Sequence, residues 1–190
     1  VGALLNAVFL KVRLRAEDEP LKLRLHERFF GRYGLFFLVA IGQALIVSLG
    51  DLFYVQIQCL YPWHFVLAAA VTGLCFSLIN YALVFALDNI GMALSVIVMV
   101  MQVAGSGGTY PVEVLPDIFQ KLYDYMPFKY SMNAMRETIA GMYGSNYTHD
   151  IIVLLCIALG SIILGLALYY PCLGLNRLIE SSKRKSEIMQ

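Results

Sequence analysis

The chain has 190 residues, of which 59% are hydrophobic and 14% charged, and its formal net charge is +1. A soluble domain is about half apolar and about a quarter charged, so the excess apolar surface has to face lipid. No case for a nucleic-acid partner can rest on so small a charge, and Cys59, Cys75, Cys156 and Cys172, with no CxxC pair, read as free thiols.

Residues 1–10 are apolar except for Asn6. They are too few to span a bilayer, which takes about 20 residues, and their positive charges follow the apolar run, where a signal peptide would put them first. The spacing predicts the end of a spanning helix. Residues 11–32 then form a basic amphipathic connection. Acidic Glu17, Asp18 and Glu19 precede Pro20, which suits a first helical turn. Leu21, Leu25 and Phe29 share a face, and Lys22, Arg24, His26 and Arg28 cover the rest. Gly31 and Gly34 are expected to end this short helix or bend the chain into the next span. Such a helix fits attachment to anionic lipid and docking of a cytoplasmic partner equally well.

Apolar segments follow at 33–54, 63–87, 90–106 and 150–170, four spans after the stub. Lys and Arg fall unevenly around them. Seven lie in 11–32, four in the tail 171–190, and three (Lys121, Lys129 and Arg136) in the long segment 107–149, which accounts for all 14. Counting passes puts both basic segments on one side, the cytoplasmic one by the positive-inside rule. That makes 107–149 extracellular and the C-terminus cytoplasmic.

Ala69, Gly73 and Ser77 recur every four residues, as do Ser161 and Gly165. Small-residue stripes of this kind let helices approach closely, here within one bundle rather than at a dimer seam. Within the spans, the amides of Gln43, Asn80 and Gln102 read as a translocation lining or as interhelical hydrogen bonds, the second being the commoner use. Asp51 and Asp88 belong at span ends.

The segment 90–106 reaches only about 25 Å at 1.5 Å per residue, against a hydrocarbon core of about 30 Å. It ends in "AGSGGTYPVEVLP", residues 104–116. The glycines permit tight turns, and Pro111 and Pro116 stop the helix. This is not a phosphate loop, because the chain has no Gly-Lys pair anywhere. Two short amphipathic helices follow. Leu115, Ile118, Phe119, Leu122 and Met126 line one, and Pro127 breaks it. Phe128, Met132, Met135 and Ile139 line the other, with Gly141 as its C-cap. The pattern predicts an all-α integral membrane bundle with an outer re-entrant helical hairpin.

The residues Gly107, Gly108 and Pro111, then Pro116, then Pro127, then Asn133, Arg136 and Glu137, resemble the C-terminal membrane region of the YhgE/Pip (phage infection protein) family. That family is similar to ABC-2 type transporter permeases. The resemblance implies an ABC-2 type transmembrane helix bundle in a bacterial plasma membrane, preceded by a further N-terminal span and a large extracellular insertion. It implies a homodimer working with a separate ATP-binding subunit. Residues 17–30 would then be the coupling helix, with Arg24, His26, Glu27 and Arg28 as its contact surface. The implied function is export of a substrate. The alternative is a membrane anchor for an extracellular phage-receptor or secretion-accessory protein. No nucleophile–base or carboxylate pair points to an enzyme, and nothing calls for a cofactor.

Overall fold

The computed structural model describes residues 2–3, 25–105 and 112–188, and every regular element among them is helical. In chain order these are α1 (Leu25–Phe53), α2 (Pro62–Leu87), α3 (Asn89–Gly105), a 3₁₀ turn (Val112–Val114), α4 (Asp117–Tyr123), α5 (Pro127–Ala140) and α6 (Asn146–Ile188). Among the described residues three helices are long and apolar enough to cross a membrane: Phe29–Phe53, Pro62–Leu87 and Asn146–Tyr169. The shorter Ile90–Gly105 is apolar too. At 1.5 Å per residue the three long ones reach about 36–39 Å, and the short one about 24 Å.

The hub is α2, which packs against α1, α3, α5 and α6. Half of its most apolar window is buried inside the bundle, against 17% for each of the other two long spans. Glycine makes the contacts close. A Cβ on Gly73 would stand 3.1 Å from Ala44 Cβ and 3.3 Å from Ala40 O of α1. One on Gly165 of α6 would stand 2.8 Å from Ala82 Cβ. The small-residue positions Gly73 and Gly165 thus lie in seams inside the chain, where close approach of backbones supplies dispersion that lipid does not.

α1 does not end at Gly31 or Gly34, one of the two outcomes expected there. It is one helix from Leu25, so the last eight residues of the basic connection continue into the span. The cause is an aromatic cluster. Phe29 is fully buried and meets Tyr81 edge-on at 4.9 Å and Phe85 at 5.1 Å between ring centroids. Tyr81 Oη donates to the Phe29 carbonyl at 2.8 Å. Phe36 adds a ring 4.8 Å from Tyr81, and Tyr169 of α6 stacks on Phe85 at 5.0 Å. These contacts outweigh the helix cost of two glycines, about 1 kcal/mol each.

α2 and α3 are joined at Asp88, which has a φ of 53°. Three residues on, a Cβ at Gly91 would strike the Leu83 carbonyl and Val84 Cα. α3 therefore turns back along α2 with backbone against backbone.

α5 also runs antiparallel to α2. The Thr138 carbonyl accepts from Tyr61 N at 3.1 Å, the Ser131 and Thr72 hydroxyls bond at 2.9 Å, and Phe128 meets Phe76 at 6.0 Å. Phe76 lies about 21 Å along α2 from Pro62, so the first turn of α5 sits midway down the bundle. The expected apolar face of α5 is not the one that buries. Pro127, Ser131, Ala134 and Thr138 are buried, while Phe128, Met132, Met135 and Ile139 are half-buried. Small and hydroxyl side chains pack closest between helices in lipid. α4 is also shorter than expected, so Leu115 and Met126 lie outside it, and its Ile118 is 66% exposed. α6 runs on through Pro171 to Ile188, well past its apolar segment.

Candidate functional site

Two polar stripes make the site. On α5, Lys129, Asn133, Arg136 and Glu137 fall at i, i+4, i+7 and i+8, which places them on one face. On α6, Asn146, His149 and Asp150 occupy the first turns. The connection between the helices is short and uses Gly141 at φ 119° and Gly144 at φ 60°, conformations that favour glycine. α5 and α6 pack together, and their stripes line an open cavity of about 510 Å³ that Tyr130 also lines.

The lower end of the α5 stripe is held firmly. Lys129 Nζ pairs with Asp124 and lies 4.7 Å from the Tyr123 ring centroid and 5.6 Å from that of Tyr130. Tyr130 Oη donates to the Asp124 carbonyl at 2.7 Å. On the α6 side, Tyr147 Oη donates to the His64 carbonyl at 2.9 Å, which pins the first turn of α6 to the first turn of α2. His149 Nδ1 lies 3.3 Å from Asp150 Oδ1, with Asp150 only 6% exposed. Glu137 Oε2 is enclosed and meets no hydrogen-bond donor among the described residues.

Asn133, Arg136 and Glu137 are thus brought to one cavity, together with Lys129, Tyr130, Asn146, His149 and Asp150, which the sequence reading did not single out. The signal was present in part, because the polar stripe of α5 has helical spacing. The α6 half becomes a site only once α5 is packed against it. Pro116 precedes α4 directly, and Pro127 is the first residue of α5. Gly107, Gly108 and Pro111 lie outside the described residues.

The three span amides sit on three helices. Asn80 is 7% exposed, and its Nδ2 donates to the Phe76 carbonyl of its own helix at 2.9 Å. Gln102 on α3 is 6% exposed, with Oε1 unpartnered among the described residues. Gln43 on α1 is half-buried, and its amide lies close against the backbone of Gly2. Of the coupling-surface residues, Glu27 is exposed in the first turn of α1. Arg24 and the side chains of His26 and Arg28 lie outside the described residues. Of the thiols, Cys75 is buried, Cys59 half-buried and Cys156 exposed on an apolar face, and the side chain of Cys172 is outside the description.

Long apolar helices around one central helix, with a shorter helix doubling back along it and a charged cavity at the side of the bundle, define an all-α integral membrane domain. The chain belongs to the ABC-2 family transporter proteins, whose family model matches residues 22–167. It is 34% identical over 114 residues to the uncharacterized protein YhgE of Bacillus subtilis (strain 168). That alignment covers 60% of this chain and 15% of YhgE, so the chain spans a small part of that relative's length. No solved structure matches it.

Proposed function

We propose that this chain is the membrane-spanning, permease-like domain of an ABC-2 type export system, moving its substrate outward with a separate ATP-binding subunit. The observation that carries the reading is the family match, which runs from residue 22 to residue 167 and so takes in the first two long apolar helices, α4 and α5, and all but the last two residues of the third long helix. On this reading the chain crosses a bacterial plasma membrane several times and works as a homodimer. Its basic segment 11–32 and its C-terminal tail face the cytoplasm, by the distribution of Lys and Arg. The segment 17–30 receives motion from the ATP-binding subunit through Arg24, His26, Glu27 and Arg28. Continuity of α1 from Leu25 into the span supports this, because a displacement at the basic end would pass to the bundle as rigid-body motion. The hairpin, with α5 re-entrant from the outer face, closes the outer end. Gln43, Asn80 and Gln102 are proposed to line the path, and Gln102 has the strongest claim, since its buried Oε1 meets no donor among the described residues.

The test is co-purification. The full protein, tagged and solubilised in mild detergent from its native membrane, should bring down an ATP-binding subunit. The double reversal Arg24→Glu, Arg28→Glu should abolish the association and leave a monodisperse membrane protein. Cross-linked preparations that never contain an ATP-binding subunit would overturn the coupled-export reading.

A further inference from the structure

The turn between α4 and α5 lies deep in the bundle, and its depth can be read along two helices. On α2, the hydroxyl of Ser131 bonds to that of Thr72, ten residues or about 15 Å from Pro62. On α6, Tyr130 packs against the cluster that holds Leu154, eight residues or about 12 Å from Asn146. α5 runs from this depth toward the end of the bundle where α2 and α6 begin, so Lys129 and Pro127 lie deeper than Ser131. The turn at Asp124 and Tyr125, which leads into Pro127, is therefore near mid-membrane. The Asp124 side chain is nevertheless 71% exposed and Tyr125 84% exposed.

Irregular backbone and charged side chains persist at such a depth only against protein or water. The described residues leave Asp124 and Tyr125 uncovered. A polar groove joins them to the membrane surface. Lys129, paired with Asp124, lines its deep end. Asn133, Arg136 and Glu137 of α5 and Asn146, His149 and Asp150 of α6 line the rest. Arg136, Asn146 and His149 are exposed. The groove is open, and its volume of about 510 Å³ has room for many waters at about 30 Å³ each.

We infer that water fills this groove from the Gly141–Gly144 turn down to the Lys129–Asp124 pair, and that small hydrophilic molecules reach mid-membrane through it. α5 then has water along its charged stripe and α2 along its small-residue stripe. Acyl chains in the groove would set hydrocarbon against charged and amide side chains on both walls. The inference rests on the proposed topology only for the face from which water enters, which is the outer one.

The experiment uses the full protein in its native membrane, with Cys59, Cys75, Cys156 and Cys172 replaced and single cysteines introduced. The probe is a small, charged, membrane-impermeant methanethiosulfonate, applied to intact protoplasts and to inside-out vesicles. Asn133→Cys and Lys129→Cys report on the groove. Leu155→Cys is the control, at similar depth on the far side of α6, where Leu155 is 46% exposed. Both groove thiols should react about tenfold or more faster than the control, since only the thiolate reacts and hydrocarbon suppresses it. Asp124→Cys carries the same expectation and serves if Lys129→Cys does not fold, while Asn133→Cys leaves the ion pair in place. Groove thiols as slow as the control from both faces overturn the inference and leave the export reading standing. Fast reaction at Asn133→Cys with control-level rates at Lys129→Cys and Asp124→Cys also overturns it, because water would then stop short of mid-membrane. Fast reaction of all the groove thiols from the cytoplasmic face alone supports the groove and overturns the outward orientation of the hairpin.

Discussion

Gly91→Val abolishes the folded bundle, and Gly91→Ala destabilises it by about 3 kcal/mol or more, the upper end of overpacking costs. The added Cβ would meet the Leu83 carbonyl and Val84 Cα, and these are main-chain atoms that no rotamer change can move aside. Relief requires α3 to separate from α2, the helix on which the other long helices also pack. Gly34→Ala is the matched control. Nothing lies within 4 Å of the site a Cβ would take there. Removing a mid-helix glycine should then stabilise α1 by about 0.5–1 kcal/mol. Thermal unfolding in detergent, read by tryptophan emission and by the monodisperse fraction, separates the two. Equal midpoints for Gly91→Ala and the parent would show that the α2–α3 approach is looser than described.

Tyr81→Ala costs about 3–5 kcal/mol, the range for removing a fully buried aromatic ring. Tyr81 has no exposed surface and touches Phe29, Tyr33, Phe36 and Phe85, rings from α1 and from its own helix. Phe85 passes the contact on to Tyr169 of α6. Removing the ring therefore loosens three helices at one end of the bundle. Tyr81→Phe keeps the ring and loses only the bond to the Phe29 carbonyl, at a cost of about 0.5–1.5 kcal/mol. The same unfolding measurement applies. Equal losses for the two variants would mean that the hydroxyl, rather than the packing, holds the cluster.

The helices that carry the bundle were legible because lipid imposes length and apolarity on them, and the long apolar runs show both. Seam positions such as Gly73 and Gly165 were legible for the same reason, since small residues at helical spacing have few other uses in a span. The start of α1 was not. Gly31 and Gly34 argue locally for a break, and only the burial of Phe29 against Tyr81 and Phe85 decides for continuity. The face of α5 was misread because hydrophobicity favours Phe128, Met132, Met135 and Ile139. Close packing favours Ser131, Ala134 and Thr138, with Ser131 gaining a hydrogen bond to Thr72. Half of the charged cavity could be read from α5 alone. Its other half needed the turn at Gly141–Gly144 to bring His149 and Asp150 across.

The account stands on the hairpin and the basic C-terminal tail lying on opposite sides of the membrane, with α5 entering from the hairpin's side. Substituted-cysteine labelling tests this most directly, in a background with Cys59, Cys75, Cys156 and Cys172 replaced. Tyr125 and Tyr143 flank α5 and are 84% and 82% exposed. Tyr143→Cys should react with a membrane-impermeant maleimide in intact protoplasts, Tyr125→Cys should react more slowly from the same side, and Ser186→Cys should react only after permeabilisation. Labelling of Ser186→Cys in intact protoplasts, or of Tyr143→Cys only after permeabilisation, would contradict the account.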